Sequence, residues 1–152
     1  MAASNLKAAL AVFWSFFGVR RRRDYDADLA RLVKSFGIDW IVLAGWMHVF
    51  SQAFIESYRQ RILNLHPALP GTFPGTHAIE RAYEAYQRGE ITHTGVMIHL
   101  VPDEAVDDGP VVAQSAVAIE PTATLEELEA RIHDTEHGLI VETIRKLCTP
   151  HG

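Results

Sequence analysis

The sequence has almost no cysteine: Cys148 is the only one among 152 residues. A lone cysteine closes no internal disulfide and builds no zinc site by itself, which fits a reducing compartment. Cys148 also ends a helical pattern with no turn motif around it, so it reads as a buried helix residue and not as a nucleophile. Long hydrophobic runs are missing too. Ala8–Val19 is nearly all apolar, but a membrane-spanning helix needs about 20 such residues. Arginines 20–23 follow that run, whereas a secretory signal carries its positive charge ahead of it. The expectation is a cytoplasmic chain with no membrane partner. Positive charge is scarce as well: 14 Lys and Arg stand against 19 Asp and Glu, a net charge of −5. That balance argues against a nucleic-acid partner, and Arg20–Arg23 reads as a solvated loop or helix entry. The sequence contains no internal repeat and no low-complexity segment.

What is present is an ordinary globular composition, 48% hydrophobic and 22% charged. The length predicts a single domain over residues 1–152 with a sizeable core. Asp24 opens a helix to about Phe36, with Tyr25, Leu29, Leu32, Val33 and Phe36 at helical spacing and Gly37 as its stop. Trp40–Ala44 is a short unbroken apolar run, as in a strand buried on both faces. Ser51 caps a short helix to Tyr58, and Ile62–Leu65 reads as a second buried strand stopped by Pro67. Residues 67–77 hold three prolines and two glycines, the chemistry of a fixed loop. A helix over Ala78–Arg88 follows, then strands over Gly95–Val101 and Pro110–Ile119 joined by the acidic loop Pro102–Gly109. Thr124 and Glu127 form a capping box. It opens a long helix to about Leu147 with Leu125, Leu128, Ile132, Leu139, Ile140 and Ile144 as its core stripe. Strands alternating with helices predict an α/β fold, a mostly parallel sheet with flanking helices.

Polar residues interrupt this pattern at three places. Asn64 lies inside an apolar strand, His66 ends that strand, and Asp107 sits in a later loop. Ligands collect beyond the carboxyl ends of strands in open α/β sheets, and His66 is at such an end. Taken singly, each residue has a plain structural reading as a turn, edge or solvated group.

Their joint pattern is more specific. Asn64-Leu65-His66-Pro67, then Pro74-Gly75, Thr94-Gly95 with His99, and Val106-Asp107-Asp108-Gly109-Pro110 resembles the formyltransferase fold family. Pro67 after the histidine, Leu43-Ala44-Gly45-Trp46-Met47, and Glu136-His137 resemble its glycinamide ribonucleotide formyltransferase branch. The resemblance covers about residues 24–147 and implies a Rossmann-like formyltransferase fold. It implies formyl transfer from 10-formyltetrahydrofolate to the amine of glycinamide ribonucleotide, in purine biosynthesis. Both partners are small molecules, and neither a metal nor a covalent enzyme intermediate is implied.

The same resemblance distributes the roles. Asn64 donates to the oxygen that becomes negative, His66 carries the proton, and Asp107 raises the His66 pKa. Met47, His48, Val49 and Phe50 line the folate site with Asn64 and the loop Pro102–Asp107; the family commonly has an arginine where this chain has His48. Glu136 holds the acceptor's ribose hydroxyls, with His133 one turn before it. His77 and His99 shape the site from behind, although a satisfied core histidine explains His99 equally well.

The amino-terminal part departs from the family. Ser4-Asn5-Leu6 resembles a turn that binds the acceptor phosphate on backbone N–H groups, yet no strand precedes it and Ala2-Ala3 replace glycines. The chain then passes to Arg22-Arg23-Asp24-Tyr25-Asp26, which resembles a region much further along. Residues 1–23 therefore read as an atypical remnant of an amino-terminally shortened fold. Lost strands would expose a sheet edge and an apolar face. Either a partner chain covers them, as in a homo-oligomer, or stability is reduced. Two other functions compete: a related transferase or deformylase with another acceptor, and a catalytically impaired family member that only pairs with other chains.

Overall fold

The computed structural model describes residues 22–46, 48–105 and 107–149. Ser4, Asn5, the apolar run 8–19 and Met47 lie outside the described residues, and so does the reading of a shortened amino terminus. The element order is α1 (Arg22–Ser35), β1 (Ile41–Ala44), α2 (Gln52–Ser57), β2 (Ile62–His66), α3 (Ala78–Gln87), β3 (His93–Leu100), β4 (Val111–Ala118) and α4 (Leu125–Cys148). The four strands form one sheet in the order β1-β2-β3-β4.

β1 and β2 run parallel, and β2–β3 and β3–β4 pair antiparallel. Three strands thus point the same way and β3 alone is reversed. The expectation of a mostly parallel α/β sheet holds for strand direction, while the sheet itself is mixed. Chain connectivity accounts for two of the three pairings, while β2 and β3 are joined through α3 and still pair antiparallel. A helix-containing crossover joins β1 to β2, as parallel pairing needs, whereas β3 and β4 are linked by a loop that returns the chain directly. The ladder shifts register between Ile98 and His99. Irregularities of this kind bend a strand and re-aim its side chains.

Two apolar clusters hold the elements. Leu29 and Val33 of α1 pack with Ile41, Leu43, Phe50, Phe54, Ile55 and Ile62. Ile79 of α3 and Leu128 and Ile132 of α4 pack with Val96, Val117 and Ile119. Leu32 and Phe36, at helical spacing in the sequence, are exposed: α1 offers a narrower stripe to the sheet than its apolar residues span. In α4 the stripe also differs from expectation. Leu125 and Leu139 are partly buried, Ile140 and Ile144 line an apolar cavity of about 200 Å³ beside α1 and β1, and Thr143 is buried. Its hydroxyl donates to the Leu139 carbonyl at 2.8 Å, which satisfies it inside the helix.

Asp24, expected to open the first helix, lies inside α1, which is described from Arg22, and the later helix ends follow the sequence signals with one substitution of roles. The Thr124–Glu127 capping box is formed on both sides. Ser51 occupies the cap position of α2, but its side chain makes no capping hydrogen bond. Its N–H donates to Asp26 Oδ2 at 2.8 Å, and the next N–H, of Gln52, donates to Glu104 Oε1 at 2.9 Å. Two carboxylates from elsewhere in the chain therefore face the positive end of the helix. The Glu104 contact ties the loop 101–110 to α2.

Candidate active site

β2 carries Asn64 and His66 on alternate residues, and its antiparallel partner β3 places His99 opposite Asn64. The loop between β3 and β4 returns over these side chains and delivers Asp107. Gly109 makes that return possible. A Cβ there would lie 1.7 Å from the Leu100 carbonyl oxygen and 2.9 Å from His99 Nδ1. Asp107 itself adopts a left-handed backbone, φ +55°, a conformation that aspartate tolerates better than most residues.

The Asp107 carboxylate is the hub. It receives the Gly75 N–H at 2.8 Å and Asn64 Nδ2 at 2.9 Å. His66 Nδ1 lies 3.2 Å from Oδ2, and His99 Nε2 lies 3.4 Å from Oδ1. An ionised carboxylate only accepts, which fixes the amide nitrogen of Asn64 toward it. The same nitrogen is 3.2 Å from His99 Nε2. His99 Nδ1 lies 2.9 Å from the Leu100 carbonyl. A carbonyl cannot donate, so Nδ1 carries a proton.

His66 is bracketed by acceptors, Asp107 on Nδ1 and the Phe73 carbonyl, 3.1 Å away, on Nε2. Burial pushes its imidazole below the ordinary histidine range, against an upward pull from Asp107 and the Phe73 carbonyl. The expected effect of Asp107 is thus present, but desolvation outweighs it. For Asp107, burial pushes upward, yet the His99 and Gly75 hydrogen bonds and the imidazole charges together hold it below the usual carboxylate range.

These groups line a cavity of about 600 Å³. His48, Val49 and Phe50 form part of its wall, with His133 and Glu136 of α4 on its border. Trp46, Phe50, Phe54 and Tyr58 stack in sequence at centroid spacings of 5.1, 4.3 and 5.3 Å, which anchors this wall in the core. His133 Nδ1 sits 2.7 Å from Glu136 Oε2. Among the described residues no cluster of His, Cys, Asp and Glu is arranged to hold a metal ion.

A family model described as formyl transferase matches residues 3–144. The chain belongs to the formyl transferase family. The phosphoribosylglycinamide formyltransferase of Dictyostelium discoideum is 45% identical over 134 residues, 84% of this chain and 65% of that protein. The Schizosaccharomyces pombe enzyme of that name is 46% identical over 131 residues, 84% of this chain and 63% of its own length. The chain therefore spans about two thirds of these curated relatives. Among solved structures, phosphoribosylglycinamide formyltransferase from Bacillus halodurans superposes with a TM-score of 0.79 at 40% identity, covering 87% of this chain and 66% of that one.

In this member of the formyl transferase family the residues singled out by sequence meet at one cavity wherever they are described: Asn64, His66, Asp107, His48, Val49, Phe50, His133 and Glu136. Sequence reasoning left His99 open between a core residue and a supporting one. The structure buries it in contact with Asn64 and Asp107. It missed Phe73 and Gly75, whose backbone groups meet His66 and Asp107. Side-chain chemistry could not reveal them; the Pro74-Gly75 turn was the available signal.

Proposed function

We propose that this chain carries the formyl-transfer centre of a glycinamide ribonucleotide formyltransferase with 10-formyltetrahydrofolate as donor, acting in purine biosynthesis. The observation that carries this reading is the Asn64–His66–Asp107 cluster, with His99 in contact with it, opening onto a cavity bordered by Glu136. The acceptor amine attacks the formyl carbon, a C–N bond forms, and the carbonyl oxygen becomes negative. The intermediate collapses by breaking the bond from that carbon to the folate nitrogen. The proton lost by the amine ends on that nitrogen.

His66 is suited to carry this proton. Its depressed pKa keeps it neutral near pH 7, ready to accept, and Asp107 stabilises the imidazolium that forms. Asn64 serves the oxygen. Its amide N–H groups face Asp107 and His99. Turned toward the substrate oxygen, one of these N–H groups stabilises the charge that develops there.

The wall of His48, Val49 and Phe50, the neighbouring Met47 outside the described residues, and the loop 102–107 are assigned to the folate, largely through backbone groups. The Glu136 carboxylate accepts from the acceptor's ribose hydroxyls beside His133, and Ser4 and Asn5 belong to the phosphate end. The working place assigned to this chemistry is the cytoplasm; no described helix is long and apolar enough to cross a membrane. Self-association is a separate expectation, read by ultracentrifugation.

A formyl-transfer assay with glycinamide ribonucleotide and 10-formyltetrahydrofolate tests the reading. Product formation that requires the acceptor supports it. Formate release without acceptor assigns the site to hydrolysis, and donor binding without turnover marks an impaired enzyme.

A further inference from the structure

We propose that Arg81 is a positioning residue that sets the His66–Asp107 pair through the turn Phe73-Pro74-Gly75. The turn touches both members of the pair. The Phe73 carbonyl meets His66 Nε2 at 3.1 Å, and the Gly75 N–H donates to Asp107 Oδ2 at 2.8 Å. Its own backbone does not hold this shape unaided. Phe73 has φ +46° and Gly75 φ +80°, and a left-handed Phe persists only where its surroundings over-determine it.

Arg81 supplies that constraint from the first turn of α3. Its Nη2 donates to the Phe73 carbonyl at 2.8 Å and to the Pro74 carbonyl at 2.6 Å, and its Nε donates to the His77 carbonyl at 3.3 Å. The guanidinium carbon also lies 6.0 Å from the Phe73 ring centroid. The Phe73 oxygen thus faces Arg81 and His66 together. Planar, forked donors hold neighbouring carbonyls in fixed relation, which a flexible ammonium does less well. A loosened turn would let His66 and Asp107 drift together, and misplacement by about 1 Å can cost as much as 10²-fold in rate.

The kinetic part of the test rests on the formyl-transfer reading; the exchange part does not. In the full chain, Arg81→Met removes the donors and keeps the apolar stem, Arg81→Lys keeps the charge, and Arg81→Gln serves if the Met variant does not fold. We expect the Met or Gln variant to speed Gly75 amide exchange roughly tenfold. The same variant should lower kcat about tenfold with both KM values within about twofold, and the Lys variant should recover part of each effect. Unchanged Gly75 exchange in a folded Met or Gln variant overturns the proposal, as does a rise in KM without a fall in kcat. If the unsubstituted chain transfers no formyl group, the functional reading fails and Gly75 exchange still decides the role of Arg81.

Discussion

Two histidine–carboxylate pairs border the same cavity. His66 and Asp107 stand 3.2 Å apart with side chains 5% and 6% exposed; His133 and Glu136 stand 2.7 Å apart with side chains 66% and 17% exposed. The closer pair is the weaker one. Water competes with an exposed polar contact and screens it, whereas a contact cut off from water keeps its strength, so removing water outweighs a few tenths of an ångström. The buried pair also has further partners, Asn64, His99, Gly75 and Phe73, whereas the exposed pair is a local i,i+3 contact on one helix. A site that must move a proton reproducibly is built from the first kind. A site that must admit and release a substrate can use the second.

The sharpest way to break this contrast is to remove the buried imidazole. His66→Ala should lower formyl transfer by roughly 10²-fold or more, the usual scale for an acid–base group. Steady-state kinetics at saturating substrates measure it. Turnover close to that of the unsubstituted chain would move the proton-carrying role elsewhere.

Next in size is the glycine that lets the Asp107 loop close. Gly109→Ala forces a Cβ against the Leu100 carbonyl, and backbone rather than a flexible side chain must give way. A loss of about 1–3 kcal/mol is expected from overpacking, together with reduced activity as Asp107 shifts. Denaturant unfolding and kinetics on one preparation check both. A variant as stable and active as the parent would mean that the loop is not held by this contact.

How much of this was legible beforehand follows the same divide. β1, β2, α3, α4 and the capping box were readable because apolar runs, Gly and Pro punctuation and the Thr124–Glu127 spacing are local signals. Asn64, His66 and Asp107 were readable as polar exceptions to apolar or turn patterns, and the family resemblance joined them. The reversal of β3 was not readable, because pairing direction is a property of two distant segments. Nor was the lowered His66 pKa: the sequence names the carboxylate that raises it, but not the burial that wins. Asp26 as the partner of the Ser51 N–H was hidden for a similar reason, since the two lie 25 residues apart.

The buried pair should also set how the protein responds to acid. His66 has a folded pKa below its unfolded value of about 6.5. The unfolded chain therefore binds more protons in that window, and stability falls as pH drops from about 6.5 toward the folded value. Asp107 is likewise depressed, so its contribution is present above about 3.9, the unfolded value, and is lost as pH falls through the folded one. Unfolding free energies between pH 8 and pH 5 should decline in the parent and flatten in His66→Gln. Asp107→Asn removes the upward pull, so NMR titration should find His66 lower still. An unchanged His66 titration would mean that the carboxylate does not act on the ring.

The smallest effect should come from the exposed pair, and it sharpens the comparison because the geometry alone suggests the opposite. At 2.7 Å, His133 and Glu136 make the shorter of the two contacts. Yet exposed pairs contribute about 0–1 kcal/mol, and holding two side chains in one geometry costs entropy. His133→Ala should therefore leave stability within about 0.5 kcal/mol, as for surface substitutions generally. It should also leave kcat nearly unchanged, because the ring bonds to Glu136 and not to His66 or Asp107. What it should alter is the acceptor KM, by about two- to threefold, since the ring helps to orient a carboxylate meant for hydroxyls, and a single hydrogen bond contributes about 0.5–1.5 kcal/mol. Glu136→Gln should raise the same KM further, because charged acceptors bond hydroxyls more strongly than neutral ones. Acceptor and donor KM values measured side by side separate this from a general loss of fit. If His133→Ala lowers kcat as much as His66→Ala does, burial is not what distinguishes the two pairs.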